Sequence, residues 1–165
     1  MGDCAAEIIL DTGDRLVAAD VLRGTCRLLV RAGVAPLAEV PLGNGRRADI
    51  MGLDAQGRLT IVEIKVSLAD LRCDRKWPEY LDYCDRFYWA IPCGFPLALF
   101  ETADFMPLRC GLIVADRFDA EILRDAPWAP LNAARRRVET VRLARRAAMR
   151  VVAVSDPAGA PILLD

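Results

Sequence analysis

The sequence predicts an α/β domain with a central mixed sheet of about four or five strands, flanked by helices. Short runs rich in β-branched residues alternate with segments of helical period, which is typical of such folds. The chain has 165 residues, a length that fits one domain with its own core. We therefore expect a single domain over residues 1–165, with residues 1–13 as a leader of uncertain order.

The N-terminal half predicts one helix followed by an antiparallel meander. The helix spans residues 14–31, with Asp14 as a candidate N-cap. Its expected core face comprises Ala18, Leu22, Cys26, Leu29 and Val30. The three strands are predicted at 37–42, 48–54 and 59–66, joined by two short turns that contain glycine.

The C-terminal half predicts a crossover, a hairpin and a long helix. Residues 67–76 are polar and turn-like, and a helix starts near Pro78 and runs to about residue 85. A strand at 87–91 precedes a connection over 93–108 that contains one short helix. Strands at 111–115 and 120–123 form a hairpin, and the last helix covers 131–150. Its expected docking face comprises Leu131, Ala134, Val138, Val141 and Ala148.

The composition excludes several kinds of catalytic chemistry. The chain contains no histidine, which excludes Ser-His-Asp and Cys-His catalysis and His-ligated zinc. Its six cysteines form no CxxC pair, so we expect free, mostly buried thiols. Hydrolytic chemistry would therefore depend on carboxylates, lysine and a hard metal ion.

The charges and the hydropathy bound the partners and the compartment. Only Lys65 and Lys76 are lysine among 22 basic residues, and the net charge is −1. A surface that binds nucleic acid must then be a local patch. No apolar run is long enough to span a membrane, and the N-terminus does not resemble a signal peptide. We expect a cytoplasmic protein without a membrane partner.

One constellation predicts a metal site. Glu63 and Lys65 alternate onto one face of an otherwise apolar strand, and a short hairpin places Asp49 beside Glu63. The two carboxylates and the backbone carbonyl of Ile64 are oxygen ligands suited to Mg²⁺ or Mn²⁺. Lys65 could orient a water molecule or stabilise charge on a phosphate. The alternative is a salt bridge at the end of a strand.

Other residues are candidates for supporting roles. Glu39 could add a third carboxylate, and Asp20 could do the same or pair with Arg23. Lys76, Glu79 and Tyr83 surround the start of the helix after the motif and could line the cleft or contact phosphate. The aromatic residues nearby favour core packing over base stacking: Trp77, Tyr80, Tyr83, Phe87, Tyr88 and Trp89.

The last helix carries seven arginines against one acid, Glu139. Four of them fall on one side of the helix: Arg135, Arg142, Arg146 and Arg150. We expect Arg142 and Arg146 to bind DNA phosphates. The alternative is that these arginines pair with acids such as Asp119, Glu121 or Asp125.

The motifs together resemble the MmcB family of bacterial DNA-repair proteins over roughly residues 15–150. The resemblance rests on Arg47-Ala48-Asp49-Ile50, Val62-Glu63-Ile64-Lys65, Lys76-Trp77-Pro78-Glu79-Tyr80, Cys84-Asp85-Arg86-Phe87-Tyr88 and the segments that start at Gly111 and Ala120. It implies a restriction-endonuclease-like core of the PD-(D/E)xK superfamily. Ala48 stands where that motif usually has proline, and the metal-binding triad is intact.

The resemblance implies a metal-dependent nuclease or nuclease-like protein that acts in DNA repair or damage-induced mutagenesis. DNA is the expected partner, other repair proteins are further candidates, and a homodimer remains open. The main alternative is a non-catalytic DNA-binding or adaptor protein with the same fold. A toxin, antitoxin or mobile-element protein is a third hypothesis.

Overall fold

A six-stranded mixed sheet forms the centre of the protein, and its strands lie side by side in chain order. The computed structural model describes residues 17–157, the side chain of Cys73 excepted. The strands are β1 (Val34–Pro41), β2 (Arg47–Asp54), β3 (Leu59–Ile64), β4 (Arg86–Pro92), β5 (Gly111–Ala115) and β6 (Ala120–Arg124). The prediction of about four or five strands was too low, because the C-terminal hairpin joins the same sheet.

The sheet has an antiparallel meander on one side and two parallel pairings in the middle. β1, β2 and β3 pair antiparallel, as predicted. β3–β4 and β4–β5 are parallel, and β5–β6 is the predicted hairpin. β1 starts three residues before its predicted position, directly after Gly33, whose positive φ of 74° reverses the chain at the end of the preceding helix.

Helices cover both faces of this sheet. The helices are α1 (Ala18–Arg31), α2 (Leu68–Cys73) and α3 (Ala133–Ser155), with 3₁₀ segments at Trp77–Tyr83, Leu97–Glu101 and Ala103–Phe105. α1 packs on one face, where Val21 and Leu29 contact β2, β3, β4 and β5 residues. The 3₁₀ segments and Leu143 of α3 cover the other face, around Trp89 and Phe87.

Several helical predictions need correction. Residues 67–76 were expected to be irregular, but Ser67 accepts a hydrogen bond from the Asp70 amide (3.1 Å) and so caps α2. The segment after Pro78 is a 3₁₀ helix rather than an α-helix, and the connection over 93–108 holds two 3₁₀ segments rather than one short helix. α3 continues five residues beyond its predicted end.

The buried faces of α1 and α3 were predicted only in part, since Leu22, Cys26 and Leu29 pack on the core as expected but other members do not. α1 turns Val21, Gly24 and Thr25 inward, and Val30 is 62% exposed. Gly24 is required there, because a Cβ atom would lie 2.2 Å from the Asp116 carbonyl oxygen. In α3, Val138 and Val141 are about half exposed, whereas Glu139 and Leu143 are buried. Buried ion pairs decide the orientation of α3, and the apolar period does not reveal them.

The aromatic run packs into the core as predicted, since all six of its members are buried. Among the cysteines whose side chains the structure describes, Cys26, Cys84, Cys93 and Cys110 are free. Cys84 and Cys110 are buried and Cys26 is partly buried, in agreement with the prediction of mostly buried thiols, whereas Cys93 is exposed. No helix within residues 17–157 has the length and apolar character needed to cross a membrane. The leader and the Asp14 N-cap lie outside the described residues.

Candidate active site

A cleft of about 620 Å³ opens where the meander meets α1 and α2. Asp49, Glu63, Ile64 and Lys65 all line it, so the four residues of the predicted motif share one site. Glu39, the candidate third carboxylate, lies in the same cleft. The structure therefore brings the predicted residues together in one place.

Strand register explains why the three carboxylates meet. Ala38 and Val40 pair with Ile50 and Ala48, which places Glu39 opposite Asp49 between them. The β2–β3 register continues from Ile50↔Val62, which places Asp49 opposite Glu63. Residues directly opposite in an antiparallel pair face the same side of the sheet.

At this end of β2 and β3, the carboxylates of Asp49 and Glu63 accept hydrogen bonds from backbone amides of the neighbouring strand. The Ile64 amide donates to Asp49 Oδ2 (2.8 Å), and the Asp49 amide donates to Glu63 Oε1 (3.2 Å). Each carboxylate is thus held by one backbone donor and retains other lone pairs. Such fixed oxygens suit a hard cation.

Burial dominates the electrostatics of the two carboxylates. Glu63 is 3% exposed, and burial, followed by the charge of Asp49, raises the pKa of Glu63 to about 8. Burial also raises the pKa of Asp49, and the Ile64 amide and Lys65 oppose that shift. A divalent cation between the two groups would stabilise both as carboxylates.

Lys65 is held by carboxylates from the α2 segment. Its side chain is 6% exposed, and Nζ lies 2.7 Å from Asp74 and 3.9 Å from Asp70. Burial tends to lower the pKa of Lys65, but the hydrogen bond and charge of Asp74 raise it, so the ammonium stays charged. Sequence reasoning missed Asp70 and Asp74, although their spacing of four residues is a helical signal.

Backbone strain marks Glu39. Its φ of 55° is left-handed, which is unfavourable for a residue with a Cβ atom. Arg150 of α3 fixes this turn by donating to the Ala38 carbonyl and to the Glu39 carbonyl, the second at 2.9 Å. The Glu39 carboxylate then pairs with Arg47 Nε at 2.6 Å. Arg150 therefore positions the edge of the cleft.

A second group of residues forms the mouth of the cleft. Tyr80, predicted only as core, donates from its hydroxyl to the Arg47 carbonyl (3.1 Å) and lines the cleft. Arg46 lies over the Tyr80 ring and pairs with Glu79 at 2.7 Å. The mouth of the cleft thus carries the ion pairs Arg46–Glu79 and Arg47–Glu39, and buried Glu63 and Lys65 lie inside.

The donor set fits a cation that keeps water or phosphate oxygens among its ligands. Among the described residues, no group of three or more Asp, Glu, Cys or His side chains could hold a metal ion by itself. Asp49, Glu63 and the Ile64 carbonyl supply oxygen only, and Mg²⁺ is commonly bound by one or two carboxylates together with substrate phosphates. The residues present therefore fit Mg²⁺ or Mn²⁺ in the presence of a phosphate ligand.

Some predicted site residues lie elsewhere. Tyr83 is 6% exposed within the core, and the Arg135 guanidinium lies over its ring, so a DNA contact by Tyr83 is not supported. Asp20 pairs with Arg117 (Oδ1 to Nε, 3.7 Å) rather than with Arg23 as predicted. It does not line the cleft. Lys76 is exposed beside the 3₁₀ helix that contains Tyr80.

The arginines of α3 have contacts within the fold. Arg142 lies 3.0 Å from buried Glu139, and Arg136 pairs with buried Asp85. This agrees with the alternative of ion pairing, but the acids are not the predicted Asp119, Glu121 and Asp125. DNA binding by Arg142 and Arg146 stays a prediction.

Comparisons with known proteins identify relatives. The family model described as "DNA repair protein MmcB-like" matches residues 6–158. A solved protein of unknown function from Silicibacter pomeroyi, SPO1766, is 40% identical, with a TM-score of 0.76, and the match covers 87% of this chain and 94% of that one.

A repair endonuclease from Pyrococcus abyssi is 21% identical over 47% of this chain and 41% of that one. Its TM-score of 0.30 is too low to support an argument about fold or activity. No curated protein matches the chain. The match to the family model covers nearly the whole sequence, and the chain therefore belongs to the MmcB-like family of DNA repair proteins.

Proposed function

We propose that this protein is a Mg²⁺- or Mn²⁺-dependent DNA nuclease of repair, built on a restriction-endonuclease-like (PD-(D/E)xK) core. One observation carries the proposal: Asp49, Glu63 and Lys65 share one cleft, with the carboxylates on adjacent strands and the lysine directly after the end of β3. Membership of a DNA repair family supplies the substrate class.

Each residue has a defined role in this proposal. Asp49, Glu63 and the Ile64 carbonyl hold the cation, and Glu39 stands beside them as a further acidic group. A bound Mg²⁺ ion would polarise the phosphodiester and lower the pKa of a coordinated water. Lys65 can donate three hydrogen bonds, so its contacts with Asp74 and Asp70 leave a donor for a phosphate oxygen.

A non-catalytic DNA-binding or adaptor role is the second candidate. It is favoured by the ion pair of Lys65 with Asp74, which offsets the positive charge that a phosphate would otherwise meet. Such a protein would bind DNA without cleaving it.

A cleavage assay separates the two functions. Duplex, single-stranded, nicked and branched DNA would be incubated with Mg²⁺, Mn²⁺ or EDTA. We expect metal-dependent cleavage, and we expect its rate to fall at least about 100-fold in Glu63→Gln and in Lys65→Ala. The first change removes a metal ligand, and the second removes a hydrogen-bond donor to the phosphate.

Glu121→Gln is the matched control, since Glu121 is an exposed acid of β6 outside the cleft. This variant should keep the wild-type rate. DNA binding without cleavage under every metal condition would reject the nuclease and favour the adaptor. If Glu63→Gln cleaved DNA at the wild-type rate, the cleft would not be the site of cleavage.

A further inference from the structure

In the segment that follows β3, the acidic side chains contact Lys65 and the basic side chains are exposed to solvent. α2 and the residues after it contain two acids, Asp70 and Asp74, and both lie within 4 Å of the Lys65 ammonium, at 3.9 and 2.7 Å. The bases of the same segment are Arg72, Arg75 and Lys76, which are all exposed. We call these three residues the basic rim.

The basic rim is unpaired, in contrast to most arginines of this protein. Within residues 17–157, none of its three side chains forms a hydrogen bond or an ion pair. Arg46, Arg47 and Arg136 each have a carboxylate partner. A cluster of unpaired cations is therefore available to an external anion.

The rim residues are neighbours in the chain of two residues that line the cleft. Arg72 lies between Asp70 and Asp74, Arg75 and Lys76 directly follow Asp74, and both acids line the cleft itself. On the other side, the Glu79 amide donates a hydrogen bond to the Lys76 carbonyl at 3.1 Å. Lys76 is thus one helical turn from Glu79, which pairs with the cleft-lining residue Arg46.

We propose that the basic rim binds the sugar-phosphate backbone of the DNA strand that enters the cleft, on the side of the scissile phosphate next to Lys65. The inference rests on the proposed function, since it assigns the path of the substrate to the same cleft. Arginine and lysine neutralise phosphates, and three cations within five residues match about three phosphates of one strand.

The arginines on the inward side of α3 fit this role less well, because they have contacts within the fold. Arg136 forms an ion pair with Asp85, and Arg142 forms one with Glu139. Arg150 donates hydrogen bonds to the carbonyls of Ala38 and Glu39. These contacts fix α3 and the edge of β1. The rim has no comparable structural role in the described chain.

Salt-dependent binding tests the inference without relying on cleavage. Equilibrium binding of duplex DNA would be measured in EDTA with the Glu63→Gln protein as the parent. Changing Arg72, Arg75 and Lys76 together to Gln should weaken binding at least about 10-fold and reduce the slope of log K against log salt by about two to three units. Each single change should remove about one unit.

A matched control carries the same change of charge. Arg23, Arg137 and Arg145 are exposed and, in the part of the chain that the structure describes, have no polar partner. Their replacement by Gln should leave affinity and slope within about half a unit of the parent. Equal melting temperatures of all variants would show that the fold is retained.

Three results would overturn the inference: rim variants that bind DNA as the parent does, a control that loses as much slope as the rim variant, or a parent that binds no DNA. Equal rim-dependent binding of polyglutamate would assign the rim to acidic proteins instead. Because the parent carries Glu63→Gln, this outcome is independent of cleavage by the wild type. If the rim variants bound DNA as the parent does while the wild type cleaved DNA, the inference would be wrong and the proposed function would stand.

Discussion

Glu63 shows how the site works against the stability of the metal-free fold. It lies in the interior beside Asp49 and accepts a hydrogen bond from the Asp49 amide. Burial and the neighbouring carboxylate raise the pKa of Glu63 to about 8, so without a cation the folded protein holds a proton there at neutral pH. Folding then depends on pH through this residue.

We expect Glu63→Gln to stabilise the metal-free protein at pH 8 and to have little effect at pH 4.5. In the unfolded chain Glu63 loses its proton near 4.5, whereas in the folded chain it does so near 8. Wild-type stability therefore falls as the pH rises through this window, and the Gln variant has no such loss. The difference at pH 8 should be of the order of 2–4 kcal/mol, measured by urea unfolding in EDTA.

Glu121→Gln serves as the control, because Glu121 is exposed on the edge strand β6. It should match the wild type at both pH values. A stabilisation by Glu63→Gln of the same size at pH 4.5 and pH 8 would show that titration of Glu63 is not the cause.

At the scale of elements, Asp85 attaches α3 to the sheet. It is 1% exposed and accepts hydrogen bonds from the Leu59 amide of β3 and the Leu131 amide before α3, both at 2.8 Å, while Arg136 of α3 pairs with it. Burial tends to raise the pKa of Asp85, but the hydrogen bonds from Arg136 and the two amides lower it below its usual value. α3 has only Leu143 as a buried apolar residue, so this polar contact matters for docking.

We expect Asp85→Asn to loosen α3 and to lower the free energy of unfolding by about 2–4 kcal/mol, since the charged partner of Arg136 is lost. Hydrogen exchange should become faster in 133–155 than in the core strands. The Asp85 contribution is present above about pH 4 and is lost as the pH falls through its depressed pKa.

Asp82→Asn is the appropriate comparison, because Asp82 is an exposed acid three residues earlier. It should change neither stability nor exchange. If Asp85→Asn lowered stability while α3 exchanged as slowly as before, the attachment of α3 would have to lie elsewhere.

For the whole molecule, the cleft concentrates negative charge in a chain that is nearly neutral. Its lining contains five acids, Glu39, Asp49, Glu63, Asp70 and Asp74, against three bases, Arg46, Arg47 and Lys65. The net charge of the full chain is −1. Bringing acids from β1, β2, β3 and α2 together therefore creates a local field that favours a cation.

We expect millimolar Mn²⁺ to raise the melting temperature of the wild type by a few degrees, because the ion binds only the folded site. The shift should be absent in Glu63→Gln and retained in Glu121→Gln, both followed by thermal unfolding. An equal shift in Glu63→Gln would place the ion at another site.

The sequence predicted the meander, the crossover strand, the hairpin and the Asp49–Glu63–Lys65 motif, because these features depend on local patterns. Alternation along β3 and into Lys65, which directly follows it, brings Glu63 and Lys65 to one side, and short turns leave one register that sets Asp49 beside them. The aromatic run was likewise predictable as core, since ring burial follows from composition and spacing. These signals act over a few residues and are visible in the chain itself.

Only the tertiary structure decided which charges are paired. Lys65 pairs with Asp74 in the segment after β3, Arg136 pairs with Asp85, and Arg150 donates to carbonyls of β1. The contacts of Arg136 and Arg150 join α3 to elements that are far apart from it in sequence. In the orientation that they fix, Glu139 is buried and Val141 is half exposed, opposite to the apolar period of α3. The physical reason is that a buried charge must find a partner, and that partner is fixed by the packing of the whole fold rather than by the local pattern.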